Sequence, residues 1–273
     1  VEEETMSRNL LLAASCALAF FPALSEAVTL YASDLVGNIY SVNPSTGNAN
    51  LLASTGLSIG EIEIGPTGTM YALTNGSSSS LYTLDTATWD ATLVGATGLG
   101  FLFEGGLAFS NGTLYGVNGG SSSAAQLLKI DPATGVASVV GDMGTGDING
   151  LAARADGKLI GLDRESESIV EIDPSVPSFT GLDSDVSYDT DSGGMTLFGG
   201  TTYAAVGLAN STGISNALYT IDQMTGAETY LSQITYNGGN FELSGLAAVP
   251  EPATMLALGA GVAALVARRR RKA

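Results

Sequence analysis

The sequence predicts an all-β fold assembled from repeats of one four-stranded unit. Three observations predict it: strand-period alternation in short apolar runs, a self-similarity recurring every ~40 to 45 residues, and a first strand missing at the start and supplied at the end. The clearest unit runs from Gly105 to Val140. Within it GGLAFS, LYGVN, LLKID and VASVV alternate apolar with small or polar residues, the period of half-buried strands. An Asn111-Gly112 turn joins the first two strands, a strong hairpin signal. Asp131-Pro132-Ala133-Thr134-Gly135 joins the last two: the carboxylate can accept local backbone hydrogen bonds, proline presets φ, and glycine takes positive φ.

Copies of the second strand stand at Leu30 (LYASD), Met70 (MYALT), Leu114 (LYGVN), Leu159 (LIGLD) and Thr202 (TYAAV). Each is followed by an apolar residue and a turn former: Val42-Asn43, Leu84-Asp85, Ile130-Asp131, Ile172-Asp173 and Ile221-Asp222. First strands precede four of the copies, near Glu61, Leu107, Leu151 and Met195. The first copy has none, whereas Ser244-Gly245-Leu246-Ala247-Ala248-Val249 repeats that strand at the far end with no unit after it. Five units sharing one split unit describe a five-bladed β-propeller over residues 28–249, its ring closed by strands from both termini, which removes the most exposed sheet edges. High Gly content and low aromatic content suit short, tightly turned strands.

Residues 1–27 read as an upstream extension and a secretory signal peptide. Arg8 supplies the positive region, Leu10 to Phe21 the apolar helix, and Ser25 and Ala27 the small cleavage positions. The only cysteine, Cys16, falls inside that leader, so the exported body carries no disulfide framework.

Between Val28 and Pro252 stand four cations, Lys129, Arg154, Lys158 and Arg164, against 23 of the 27 acidic residues. That sign excludes nucleic acid as a partner, since phosphate neutralisation supplies most of such affinity. The chain contains no histidine, which removes Ser-His-Asp hydrolysis, His-bound zinc and His general bases.

Carboxylates are the remaining candidates. Asp147, Asp191 and Glu242 each stand three residues before a first-strand glycine, and Glu104 stands two before one. First strands line a propeller's axis, so these four are expected at one channel mouth, where crowded carboxylates favour a cation. They form a candidate Ca²⁺ site, with water-separated carboxylates as the plainer alternative. The Asp-rich run from Gly181 to Gly193 lacks the twelfth-position Glu of a calcium loop and reads as a solvated interblade loop.

After the body comes Pro250-Glu251-Pro252, then ATMLALGAGVAALVA, then Arg268, Arg269, Arg270, Arg271 and Lys272. Two prolines hold Glu251 on an extended segment. The apolar run is expected to be a transmembrane helix of ~22 Å, short of a ~30 Å hydrocarbon core by an amount that thinning or snorkelling absorbs. The basic end is a cytoplasmic stop. This tail, over residues 250–273, resembles the PEP-CTERM sorting signal of exported Gram-negative bacterial proteins. The resemblance implies Pro250, Glu251 and Pro252 as the motif read by an exosortase, inner-membrane retention before processing, and a role beside exopolysaccharide. Together these readings point to a non-enzymatic surface or matrix propeller acting in adhesion, with exopolysaccharide or a surface protein as partner. The alternative is a calcium-dependent propeller enzyme, a lactonase or polysaccharide-modifying hydrolase, using the mouth carboxylates.

Overall fold

The structure is a computed structural model, and it describes residues 28–99, 102, 105–118, 124–144, 146–183, 193–210 and 213–250. The expected signal and membrane helices lie outside these residues. Among the described residues no helix is long and apolar enough to cross a membrane.

Strand order follows the repeat. The chain begins with β1 (Val28–Ser33), β2 (Asn38–Val42) and β3 (Asn48–Ser54). Four-stranded units follow: β4 (Ile59–Ile64), β5 (Met70–Thr74), β6 (Ser80–Leu84) and β7 (Ala91–Ala96), then β8 (Leu107–Ser110), β9 (Thr113–Asn118), β10 (Ala125–Ile130) and β11 (Ala137–Gly144). Next come β12 (Ile148–Ala153), β13 (Leu159–Asp163), β14 (Ser168–Ile172) and β15 (Phe179–Asp183), then β16 (Gly193–Phe198), β17 (Thr201–Asn210), β18 (Gly213–Ile221) and β19 (Glu228–Gln233). Two strands remain, β20 (Thr235–Tyr236) and β21 (Gly245–Pro250). Four sheets run in simple sequential order, while the fifth has the order β20-β3-β2-β1-β21. The terminal strand therefore completes the first blade from the inside, as the displaced repeat predicts, and the body is a five-bladed propeller.

Antiparallel pairing puts the repeated apolar residues in register. Leu30 faces Val42, Met70 faces Leu84, Leu114 faces Ile130, Leu159 faces Ile172 and Thr202 faces Ile221. Those side chains fill apolar layers between neighbouring blades. At the junction closing the ring, Leu30 and Leu246 are both fully buried in one cluster with Leu218 of β18. The predicted Asn-Gly hairpin is real: Asn111 and Gly112 have φ of 49° and 76°, the conformation that matches a tight turn to strand twist.

One element escaped the repeat. β20 adds to β3 in parallel, Thr235 beside Asn48, and covers the outer edge of the first blade.

Candidate functional site

The innermost strands β21, β4, β8, β12 and β16 surround the axis, and their backbones meet through glycine. A Cβ on Gly106 would come within 2.5 Å of Leu151, one on Gly150 within 3.1 Å of Met195 N, and one on Gly194 within 2.3 Å of Leu246 N. One on Gly245 would come within 2.8 Å of Ile62 N. Each glycine thus abuts the residue that follows the equivalent position in the next blade. In the second blade that position is Glu61.

Glu61 is fully buried. Its Oε1 accepts hydrogen bonds from Ile62 N at 3.1 Å and, across the closing seam, from Leu246 N at 2.8 Å. No hydrogen-bond partner reaches its Oε2. Burial pushes the carboxyl well above the ordinary range, the two backbone N–H groups pull it partly back, and nearby Glu63 raises it further. Glu63 is 9 % exposed, and burial raises its carboxyl as well. Neither residue stands out in isolation, because glutamate in an alternating strand normally faces solvent. Their signal is in the repeat: glycine or alanine stands at Gly106 and Ala108, Gly150 and Ala152, and Gly245 and Ala247.

Neighbouring groups fasten the same closing strand. Ser244 N donates to Ser33 O at 2.8 Å, Ser244 Oγ donates to Ile59 O at 2.7 Å, and Leu243 N donates to Asn216 Oδ1 at 2.7 Å. The strand is stitched to the last, first and second blades at once.

Of the four mouth carboxylates expected from the sequence, Glu104 and Asp191 lie outside the described residues. Asp147 is 3 % exposed, immediately before β12. Its Oδ2 pairs with the Arg164 guanidinium, and its N–H donates to Asp163 Oδ1 at 2.9 Å. Asp163 also receives Glu165 N and the Ser166 hydroxyl. Glu242 stands half-buried ahead of β21. The described residues contain no group of three or more His, Cys, Asp or Glu able to hold a metal ion. Asp147 is thus committed to an ion pair, and the buried Asn149 nearby in β12 has neither side-chain polar atom bonded.

Arg154 and Lys158 are also committed. Arg154 bonds Asp156 at 2.9 Å and pairs with Glu171, which also takes Lys158.

Pro250 ends β21, so the tail begins inside the closing strand. Glu251, Pro252 and the basic run from Arg268 to Lys272 lie outside the described residues.

The body resembles solved propeller structures in fold. A chain of a nidogen/laminin complex is 11 % identical with a TM-score of 0.53, over 81 % of this chain and 98 % of that one. A gluconolactonase of Xanthomonas campestris is 16 % identical with a TM-score of 0.52, over 77 % and 73 % respectively. No curated protein matches the chain in sequence. The tail is specific where the body is not. Residues 248–271 match the family described as the PEP-CTERM protein-sorting motif, which implies export, membrane anchoring before processing, and processing by an exosortase. The chain is thus a five-bladed propeller whose closing strand runs directly into a PEP-CTERM sorting motif.

Proposed function

We propose that the chain is an exported propeller, residues 28–249, led out by the segment 1–27 and delivered by its processed tail to the cell surface or matrix, where it binds polysaccharide or a surface protein without chemical turnover. The observation that carries the non-enzymatic reading is the burial of the described inner-strand carboxyls. Glu61 has no solvent exposure although glycine holds its position in the other blades. General acid–base work on a bound substrate needs a carboxyl within reach of the reacting group. Glu61 and Glu63 are sealed, and Asp147 is buried and held by Arg164.

The test has two arms. Mass spectrometry of the outermost fraction is expected to find a C-terminus near Pro250 to Pro252; an intact Ala273 there overturns sorting. Purified protein is expected to retain exopolysaccharide in a pull-down without releasing product. Turnover of a lactone or glycan, lost on Asp147→Ala or Glu242→Ala, or a Ca²⁺-dependent rise in melting temperature, overturns the metal-free binding reading in favour of the calcium-dependent enzyme.

A further inference from the structure

We propose that Glu61 makes the hold on the ring-closing strand a proton-dependent clasp: β21 stays closed over the neutral buried acid and opens more readily when the site would have to hold a charge away from water. The proposal does not depend on what the propeller binds. It rests on the contrast between one seam and the others. At Gly106, Gly150 and Gly194 the nearest atoms across the seam are backbone or the apolar side chains of Leu151 and Met195. At the contact between β21 and β4 a carboxyl takes the place of glycine and spans to Leu246 N.

Gly245 is what makes room for it. A Cβ there would stand 2.6 Å from Glu61 Oε1 and 2.7 Å from Ser33 Oγ. The strand that closes the ring by pairing with β1 therefore meets a buried titratable group where it packs against β4.

Ionising this group is costly. With Oε2 unpartnered and the residue fully buried, a full charge would have hydrogen bonds at only one of its two oxygens to offset desolvation. No cation lies on the strands packed against it. β21 carries no titratable group before Pro250, β1 offers Tyr31, β5 offers Tyr71, β8 offers none, and Glu61's own strand adds the like-charged Glu63. Glu242 ahead of β21 is acidic too. The like charge of Glu63 opposes a second negative charge at Glu61. The carboxyl is raised by burial first, so the stabilisation is complete below the ordinary glutamate range and is lost as pH rises through the raised value. β21 ends in Pro250, inside the matched sorting motif, so loosening the clasp frees the segment that leads into the tail.

Amide hydrogen exchange on the full-length protein in detergent reads the clasp directly. Protection at Leu246, corrected for the intrinsic pH dependence of exchange, is expected to fall as pH rises above the ordinary glutamate range. The loss amounts to about tenfold for each unit by which folding raises the carboxyl. Glu61→Gln, which keeps the acceptor and cannot ionise, is expected to flatten the profile, and Glu63→Gln to leave a clear fall. A flat wild-type profile overturns the proposal, as does an unchanged fall in Glu61→Gln. Should Glu61→Gln fail to fold, the infrared spectrum of Glu63→Gln decides: a protonated-carboxyl band persisting above that range supports the clasp, and its absence sinks it.

Discussion

At the scale of single residues, the turns between third and fourth strands show how one substitution is accommodated. Gly47, Gly135 and Gly226 donate their N–H to the carbonyl of Asn43, Asp131 and Asp222 at 2.8 Å, with φ near 70° to 78°. Trp89 makes the same bond to Asp85 O at φ 65°, so the chain's only tryptophan occupies a glycine slot. That conformation costs a side-chain-bearing residue roughly 1 to 2 kcal/mol. The compensation is packing: the indole meets Tyr31 edge-on at 5.0 Å and covers the cluster holding Met70 and Leu84. Removing a fully buried aromatic costs about 3 to 5 kcal/mol, and Trp89 is half-buried, so packing outweighs strain. Trp89→Gly is expected to destabilise the body by about 1 kcal/mol in denaturant unfolding followed by circular dichroism. A gain in stability would show that the strain at this turn exceeds what the indole recovers by packing. The same comparison across repeats explains what single positions reveal. Glu61 and Trp89 are both invisible in their own strand or turn and conspicuous once aligned with the glycines of sister units.

At the scale of elements, strands and turns were legible because each carries its own local chemistry. Period-two alternation placed the apolar residues, and Asp or Asn opened each turn. Asp131 Oδ1 accepts Ala133 N at 2.9 Å and its Oδ2 accepts the Thr134 hydroxyl at 2.8 Å; Asp85, Asp173 and Asp222 bond their own turns similarly. β20 was not legible, because a two-residue strand has no period and its pairing with β3 depends on contacts across the closed ring. The mouth carboxylates were legible only as a register: spacing placed Asp147 beside the first strand, but its ion pair with Arg164 depends on a turn in the neighbouring hairpin. The turn carboxyls yield a pH expectation of definite sign. Backbone N–H donors hold Asp85, Asp131 and Asp222 below the ordinary aspartate range, and at Asp173 the Ser175 hydroxyl does so first, with the Ser175 N–H beside it. Their contribution is therefore present above that range and lost as pH falls through it. Asp131→Asn keeps an acceptor and removes the titration, so it is expected to reduce the acid-side slope of stability against pH while leaving neutral stability nearly unchanged. An identical acid slope would show that the turn carboxyls do not set it.

For the whole molecule these two kinds of carboxyl act in opposite directions. Exposed turn aspartates weaken the fold toward strong acid, whereas buried Glu61 and Glu63 weaken it as pH rises above the ordinary glutamate range. Stability is expected to peak between those windows, on the mildly acidic side. A formal net charge of −17 also opposes compaction at neutral pH, so a loss of stability on the alkaline side has two candidate origins. Salt separates them. Repulsion among exposed charges is screened over ~3 Å at 1 M ionic strength, while the desolvation of a buried carboxyl is scarcely affected. Melting temperatures measured from acid to alkaline pH at low and at high salt are expected to converge in part, leaving an alkaline decline that salt does not remove. That residual should shrink in Glu61→Gln and shrink further when Glu63→Gln is added. Complete removal of the decline by salt would assign it to surface repulsion, and the two inner-strand glutamates would then be neutral passengers in the ring they help to close.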